Sequence, residues 1–294
     1  MAEAVAVCLV GAGPWAKMVH ASMLATGPET RLAGVWARRP GAALELAAKY
    51  NTVAFTDYDA ALDACEAVAF CVPPAVQPDL AILAARKGKA LLLEKPIADS
   101  YANAQRLSEA VEAAGVPNML MLSYRYSEHV RSFIEEAQAF EAWGARGGFV
   151  GGGFLPPSPF GFGWRLTRGA LLDVGPHGID LAWAALGDIV EVRASGNLQA
   201  LAALSLTHAS GAVSQLQFSA KVAIDPPRVG LELFGPAGAL TLDALAGEWP
   251  KVFTTIRQEF AALVRSGGRH PLDVHRGLEL QRIVEEAELQ IGRG

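Results

Sequence analysis

Several features typical of secreted, membrane-bound or nucleic-acid-binding proteins are scarce in this sequence. Its three cysteines cannot all pair, and two of them lie inside apolar, strand-like segments, so we expect reduced thiols and a cytoplasmic protein. No apolar run is long enough to cross a bilayer, and the first residues carry no basic leader. The net charge of -5 gives no general attraction to nucleic acid or to an anionic membrane. These absences favour a small-molecule partner.

Motifs for two common kinds of catalysis are also missing. No Cys-x-x-Cys or His-Glu-x-x-His spacing occurs, so no metal site is expected. No Gly-x-Ser-x-Gly turn presents a serine nucleophile. What the chain does have is 294 residues that are 51% hydrophobic, enough for a sizeable core and for two domains.

The first part of the chain follows the pattern of repeated βαβ units. Short β-branched or leucine-rich segments alternate with alanine-rich segments of helical length from residue 4 to about residue 124. The predicted strands are Ala4–Val10, Arg31–Ala37, Val53–Phe55, Ala67–Val72, Ala90–Glu94 and Asn118–Ser123. This pattern predicts an α/β fold, with a doubly wound parallel sheet over residues 1–123.

The rest of the chain is typical of an α+β domain with a mostly antiparallel, open-faced sheet. A predicted helix, Ser127–Trp143, leads into a glycine- and proline-rich passage that we interpret as an irregular cleft wall. Strands separated by Ser-Gly and Ala-Gly turns fill residues 190–243. The other predicted helices are Pro176–Leu186, Lys251–Arg265 and Asp273–Ile291. We assign residues 124–294 to a substrate-binding and oligomerisation domain.

A glycine turn directly after the first strand is a candidate nucleotide site. Gly11, Gly13 and Ala16 match the G-x-G-x-x-G/A pattern, and a helix opens at Trp15. Glycine lets the backbone approach a pyrophosphate, and a helix N-terminus offers unpaired N–H groups to it. A plain connecting turn would also fit the isolated motif, but the surrounding βα units favour a dinucleotide-binding Rossmann domain. The expected cofactor contacts in this turn are Gly11, Ala12, Gly13, Pro14 and Trp15.

The end of the second strand predicts which dinucleotide is bound. An acidic residue normally holds the free 2′-hydroxyl of the adenine ribose there, but this position is Ala37, followed by Arg38 and Arg39. Two cations suit a 2′-phosphate, so NADP is favoured. Two solvated arginines beside an NAD site are the alternative.

The Glu94-Lys95-Pro96 tripeptide ends the fifth strand, at the sheet edge where doubly wound proteins bind ligands. Lys95 is a candidate proton donor or relay, Glu94 can hold its ammonium group, and Pro96 fixes the turn, with a cis Lys95–Pro96 bond as one way of aiming it. A surface ion pair at a strand end is the alternative. The cofactor contacts expected at this edge are Val72, Pro73, Pro74, Gln77, Glu94 and Lys95.

A second candidate site contains an acid and a base four residues apart. Asp173 is placed in the loop before the predicted helix at Pro176, and His177 in its first turn, so both side chains can point toward one cleft. His177 can take a proton from a carbinol while Asp173 orients it or binds a substrate hydroxyl. Asp180 can favour the helix N-terminus.

Four segments together resemble the glucose-fructose oxidoreductase, inositol dehydrogenase and rhizopine-catabolism (Gfo/Idh/MocA) family. They are GAGPWA, LLLEKPIA, SYRYSEHVR and GWRLTRGALLDVGPHGIDLA, and the likeness extends over nearly the whole chain. The resemblance implies that Lys95, Asp173 and His177 are catalytic. It also implies that Tyr124, Arg125, Trp164 and Arg165 lie near the substrate.

The resemblance also implies an activity and an assembly. We expect an NADP-preferring dehydrogenase or reductase acting on a sugar, cyclitol or related polyol, assembled as a homodimer or homotetramer through the open sheet. A glycosidase without net redox change and a non-catalytic dinucleotide sensor are the alternatives. The chain departs from many relatives at Val72-Pro73-Pro74 and at Gln77, and it is short between Trp143 and Trp164.

Overall fold

The computed structural model describes residues 3–292 and contains two compact units, each built around a six-stranded sheet. The first unit runs to Ser123 and includes Phe253–Glu279. The second comprises Tyr124–Val252 and continues from Leu280. The sequence predicts a single boundary at residues 123/124, whereas the chain in the structure returns to the first unit after residue 252.

The sheet of the first unit is entirely parallel, as predicted. Its strand order is β3-β2-β1-β4-β5-β6, the doubly wound arrangement. The strands are β1 (Val5–Val10), β2 (Thr30–Trp36), β3 (Val53–Phe55), β4 (Ala67–Phe70), β5 (Ala90–Leu93) and β6 (Asn118–Leu120). Every residue of β1, β4 and β5 is buried, which explains their unbroken apolar sequences.

Helices join these strands, and side-chain caps fix where two of them begin. Asp57 accepts a hydrogen bond from the Ala60 N–H, and Ser100 accepts one from the Asn103 N–H. The helices are α1 (Ala21–Ala25), α2 (Pro40–Lys49), α3 (Tyr58–Asp63), α4 (Gln77–Arg86) and α5 (Tyr101–Ala114). A π-helical turn, Ala16–His20, runs directly into α1. Such turns are rare and often occur at functional sites.

The sheet of the second unit has the order β12-β11-β7-β10-β9-β8. Its β7–β10 pair is parallel and its other pairs are antiparallel, so the mostly antiparallel sheet is confirmed. The strands are β7 (Gly144–Val150), β8 (Ile189–Gly196), β9 (Ala202–His208), β10 (Val213–Ser219), β11 (Arg228–Gly235) and β12 (Gly238–Asp243).

Strand β7 corrects the prediction for the first seven residues of the glycine-rich passage, while residues 151–163 contain no helix or strand, as predicted. It lies inside the sheet, between β11 and β10. Its glycines lie close to the backbones of both neighbouring strands: a Cβ on Gly147 would overlap the Gly230 carbonyl oxygen of β11, and one on Gly148 would overlap the Gln217 carbonyl oxygen of β10. Glycine weakens a strand in isolation, but here only glycine leaves room for the two adjacent backbones. The helix that packs on the sheet also has a small residue at the contact, because a Cβ on Gly178 would lie 2.7 Å from the Phe218 ring.

The helix that packs on this sheet begins earlier than expected. The helices of this part of the chain are α6 (Glu128–Ala139), α7 (Trp164–Arg168) and α8 (Ala170–Leu186), followed by α9 (Trp249–Ser266) and α10 (Val274–Ile291). Pro176, predicted to start a helix, lies inside α8, so Asp173 belongs to the first turn of that helix and not to a loop. Helix α6 stops at Ala139, short of the predicted Trp143. None of the helices within residues 3–292 has the length and apolar character needed to span a membrane.

Strand β10 shows the alternation expected of a half-buried strand, with one exception. Leu216, Phe218 and the following Ala220 are buried, while Gln215 and Gln217 are exposed. Ser219 breaks the alternation: it is fully buried, and its hydroxyl donates a hydrogen bond to the Ala200 carbonyl at 2.6 Å.

His208 at the end of β9 is a buried histidine with a structural role. It is 1% exposed, its Nδ1 donates to the Gly187 carbonyl at 2.8 Å, and its Nε2 accepts from the Ser214 hydroxyl at 2.9 Å. Burial lowers the pKa of His208 below its usual 6.5, outweighing the opposite effect of the Gly187 hydrogen bond.

This histidine predicts a loss of stability in acid. Because its folded-state pKa is lowered, its contribution is present above pH 6.5 and is lost as the pH falls from there through the folded-state pKa. Thermal unfolding of the wild type and of His208→Gln at pH 8 and pH 5.5 measures this effect. Between pH 8 and pH 5.5 the melting temperature of the wild type should fall further than that of the variant. Equal decreases would contradict the structural role assigned to His208.

Candidate functional site

The nucleotide turn is held at the carboxyl edge of the parallel sheet. Gly11 donates its N–H to the Trp36 carbonyl at the end of β2, and the Cys71 N–H donates to the Val10 carbonyl. Gly11 has a φ of 120°, and a Cβ there would overlap the Cys71 carbonyl oxygen, so the turn requires glycine. A Cβ on Gly13 would meet no atom within 4 Å. The backbone at Gly13 is therefore open to an incoming group, as a pyrophosphate site requires.

A cavity of about 590 Å³ beside this turn carries a cluster of cations. Arg38 and Arg39 line it together with Ala12 and Lys17. Helix α2 begins at the same place, with Pro40 at its first position. Lys17 is not among the residues predicted from the sequence, although it lies four residues after Gly13, one helical turn into the helix.

One carboxylate lies among these cations. Glu45 also lines the cavity, and its Oε1 is 2.7 Å from the Lys17 Nζ. The hydrogen bond from Lys17 lowers the pKa of Glu45. Both side chains are solvent-accessible, so the pair is weak and can open when an anion competes for Lys17.

The Glu-Lys-Pro loop is held differently from the arrangement expected from the sequence. Glu94 does not hold Lys95 through its Oε1, because that atom accepts the Trp15 indole N–H at 2.8 Å and lies 2.6 Å from the His20 Nε2. The Lys95–Pro96 peptide bond is cis.

Gln77 fastens the backbone of this loop. Its amide donates to the carbonyls of Glu94 at 2.8 Å and Ile97 at 3.1 Å, and its Oε1 accepts the Glu94 N–H at 2.9 Å. The Gln77 side chain is fully buried. Gln77 therefore supports the backbone of the loop. Of the other cofactor contacts predicted at this edge, Val72 is partly accessible, Pro73 is exposed and Pro74 is buried.

The acid–base pair of the second unit lies on one face of α8. Asp173 and His177 are four residues apart and therefore occupy the same side of the helix. The Arg165 Nε donates to the Asp173 Oδ2 at 2.8 Å. The Arg165 guanidinium also lies over the Trp164 ring, 4.6 Å from its centroid. The structure thus brings four residues that the sequence singled out into one group.

Tyr124 and Arg125 approach the same helix from the segment that follows the first unit. The Tyr124 ring packs edge-on against His177 with 4.8 Å between ring centroids, and it also contacts Trp249, which the sequence analysis did not select. Burial raises the pKa of the Tyr124 phenol. Asp180, expected to favour the helix N-terminus, is instead buried inside α8 and paired with Arg125 at 3.0 Å.

Within residues 3–292, no group of three or more His, Cys, Asp or Glu side chains is arranged to hold a metal ion.

The features described so far define a class of protein: a nucleotide-binding Rossmann unit combined with an α+β unit that carries an Asp-His pair. Residues 5–122 match the family model described as an oxidoreductase family with an NAD-binding Rossmann fold, and residues 148–241 match the GFO/IDH/MocA C-terminal domain. The chain belongs to the Gfo/Idh/MocA family.

Curated relatives of this chain include sugar and cyclitol dehydrogenases. The glucose-6-phosphate 3-dehydrogenase of Bacillus subtilis is 28% identical over 184 residues, covering 60% of this chain and 52% of that protein. The NADP⁺-dependent scyllo-inositol 2-dehydrogenase of the same organism is 28% identical over 186 residues, 56% of this chain and 54% of that protein. The chain therefore spans about half the length of the curated relatives it matches.

Solved structures share the fold over almost the full chain. GenD2 from gentamicin A biosynthesis, in complex with NAD, superimposes with a TM-score of 0.87 at 22% identity over 99% of this chain and 95% of that one. The UDP-N-acetylglucosamine 3-dehydrogenase of Acidithiobacillus ferrooxidans gives 0.85 at 18% identity over 100% and 99% of the two chains. At these identities the likeness establishes the fold.

Proposed function

We propose that this protein is an NADP-preferring oxidoreductase that moves a hydride between nicotinamide C4 and a hydroxyl- or carbonyl-bearing carbon of a sugar, cyclitol or related polyol. The observation that carries the proposal is the Asp173–His177 pair on one face of α8 in a chain that also has a Rossmann nucleotide turn. The two Bacillus subtilis relatives, a sugar-phosphate and an inositol dehydrogenase, support the substrate class. The glycosidase and sensor alternatives gain no support from these relatives.

The residues present fit a dinucleotide. Gly13 leaves open space beside the turn, and the helix that begins there offers its N–H groups. Three cations around the cavity suit a phosphate monoester better than a free ribose hydroxyl, which prefers a carboxylate. A nicotinamide dinucleotide would supply hydride acceptance or donation at C4. The chain's own contribution is to position the reactants and to move the proton.

We propose Lys95, Asp173 and His177 as the catalytic residues. His177 takes the proton of the reacting hydroxyl during oxidation and returns it during reduction. Asp173, held by Arg165, orients the imidazole or binds a neighbouring hydroxyl. Lys95 serves as a proton relay at the end of β5. Trp164 offers apolar ring surface against which a sugar ring can pack, and we place Tyr124, Arg125 and Arg165 beside it near the substrate.

Cofactor preference provides the first test. We expect NADPH to bind at least about tenfold more tightly than NADH, roughly 1.4 kcal/mol, because one charge-assisted phosphate contact contributes about that much. Arg38→Ala and Lys17→Ala should each weaken NADPH binding by about tenfold and leave NADH binding nearly unchanged. Fluorescence titration of both reduced cofactors measures these constants.

Arg86→Ala is the matched control, because Arg86 is an exposed arginine of the same unit that does not line the cavity. It should leave both affinities unchanged. Equal binding of the two cofactors by the wild type, or an NADH preference, would contradict the assignment of the cavity to a 2′-phosphate.

Catalytic roles provide the second test. On a polyol or keto-sugar that the wild type turns over, Lys95→Ala and His177→Ala should lower kcat by about 10²- to 10⁴-fold, the usual contribution of general acid–base catalysis, with little change in NADPH affinity. Asp173→Ala should lower kcat and raise KM. Melting temperatures on the same proteins separate chemistry from stability: near-normal turnover by Lys95→Ala or His177→Ala would overturn the mechanism.

We further propose that the exposed face of the second sheet mediates self-association into a homodimer or homotetramer. The centre of this face is uncharged: Gln217 is exposed, and the residues paired with it on either side are the small Gly148 and Ala203. Charges occur beside it, because Arg146 is paired with Gln215 and forms an ion pair with Glu232. A flat surface of this kind suits a symmetric partner.

Light scattering at micromolar concentration tests the assembly. We expect a dimer or tetramer for the wild type, and dissociation for Gln217→Glu, which places charge in the centre of the proposed contact. Gln105→Glu makes the same change at an exposed position of α5 and should leave the assembly intact. A monomeric wild type would reject the proposal.

A further inference from the structure

A buried histidine connects the nucleotide-turn helix to the Glu-Lys-Pro loop. His20 lies in the π-helical turn and has no solvent exposure. Its Nε2 is 2.6 Å from the Glu94 Oε1. Its Nδ1 is buried and makes no hydrogen bond with any residue between 3 and 292. A proton on Nδ1 would be a buried donor without an acceptor, so the hydrogen-bond pattern favours the tautomer that carries its proton on Nε2 and donates it to Glu94.

Glu94 is the acceptor that this arrangement serves. The residue is only 8% exposed, and its Oε1 accepts hydrogen bonds from the His20 Nε2–H and from the Trp15 indole N–H. Burying a carboxylate is costly unless donors replace its water, and two donors on one oxygen meet this need. Glu94 therefore has a fixed direction, toward Trp15 and His20.

The two donors to Glu94 come from two consecutive segments of the chain. Trp15 belongs to the turn that we propose holds the dinucleotide, and His20 comes from the π-helical turn that follows it. Gln77 fixes the backbone on the other side, bonding to both the N–H and the carbonyl of Glu94. Lys95 therefore directly follows Glu94, whose backbone and side chain are both fixed by hydrogen bonds.

We propose that His20 and Glu94 form a positioning device that couples the nucleotide turn to Lys95. By holding the Glu94 carboxylate on the helix side, His20 prevents it from pairing with the Lys95 ammonium, and by sharing Glu94 with Trp15 it fixes the turn. His20 is a positioning residue: it acts on the reaction only through Glu94. The inference rests on the proposed function, in which Lys95 is a catalytic residue, but its test needs no substrate.

The test measures the reactivity of Lys95 in the cofactor-free protein. Acetylation of Lys95 by acetic anhydride at a fixed pH is followed by mass spectrometry, with the exposed Lys49 as the internal reference. In His20→Phe, Glu94 loses one donor and becomes able to pair with Lys95, so we expect Lys95 acetylation to slow several-fold relative to Lys49. Trp15→Phe removes the other donor and should act in the same direction.

Binding of NADPH gives a second readout. Both variants should weaken it about three- to tenfold, because the turn loses its attachment to Glu94. His20→Gln retains an N–H close to the position of the histidine Nε2 and should restore Lys95 reactivity and NADPH affinity toward the wild-type values. This rescue keeps the proposal testable even if His20→Phe fails to fold.

His208→Phe is the matched control, since His208 is also a buried histidine with two hydrogen bonds but lies in the other unit. It should lower the melting temperature without changing Lys95 acetylation. The proposal is wrong if His20→Phe lowers only the melting temperature and leaves Lys95 reactivity and NADPH affinity at wild-type values, because His20 is then structural. Where His20→Phe does not fold, the same result for Trp15→Phe contradicts the proposal. Because acetylation requires neither cofactor nor substrate, a failure of the proposed activity would leave that result unaffected.

Discussion

A carboxylate that is almost entirely removed from water determines how the nucleotide-binding unit is organised at its functional edge. Glu94 follows the buried strand β5, and its charge must be met by hydrogen-bond donors within the protein. Trp15 and His20 provide them, so the first helix must enter at one position and in one orientation. The fixed end of β5 then presents Lys95. In this way one electrostatic requirement links the glycine turn to the residue that we propose as a proton relay.

The second unit meets a comparable requirement with ion pairs along α8. Asp173 and Asp180 are both buried, and each has an arginine partner, Arg165 and Arg125 respectively. Removing one member of such a buried pair costs more than the pair contributes, so the two arginines keep α8 and its neighbours in register. His177 lies between these two acids in the sequence and packs against Tyr124. The helix therefore carries its acid–base pair on a rigid support.

Much of this architecture was predictable from the sequence because hydrophobic periodicity dominates it. The parallel strands, the glycine turn, the Arg38-Arg39 pair and the Asp173–His177 spacing all follow from local patterns. Strand β7 was not predictable, since its glycines are required by the close approach of the neighbouring strands β10 and β11, which no local rule reveals. The early start of α8 was missed because proline usually marks a helix N-terminus, whereas Pro176 lies within the helix. Long-range hydrogen bonds, such as those of His20 and Gln77, have no sequence signature at all.

Family membership and fold establish a scaffold for nucleotide-dependent chemistry, and the central claim is that this chain transfers a hydride between nicotinamide C4 and a sugar-like carbon. Isotope transfer measures it most directly. NADPH carrying deuterium at C4, in the two diastereomeric forms, is incubated with a panel of keto-sugars and keto-cyclitols, and the products are analysed by mass spectrometry. The account predicts that, with one of the two forms, a single deuterium appears on the newly formed carbinol carbon, and that His177→Ala abolishes most of it. Binding of NADPH without transfer of deuterium to any member of the panel, or product formed without the label from either form, would contradict it.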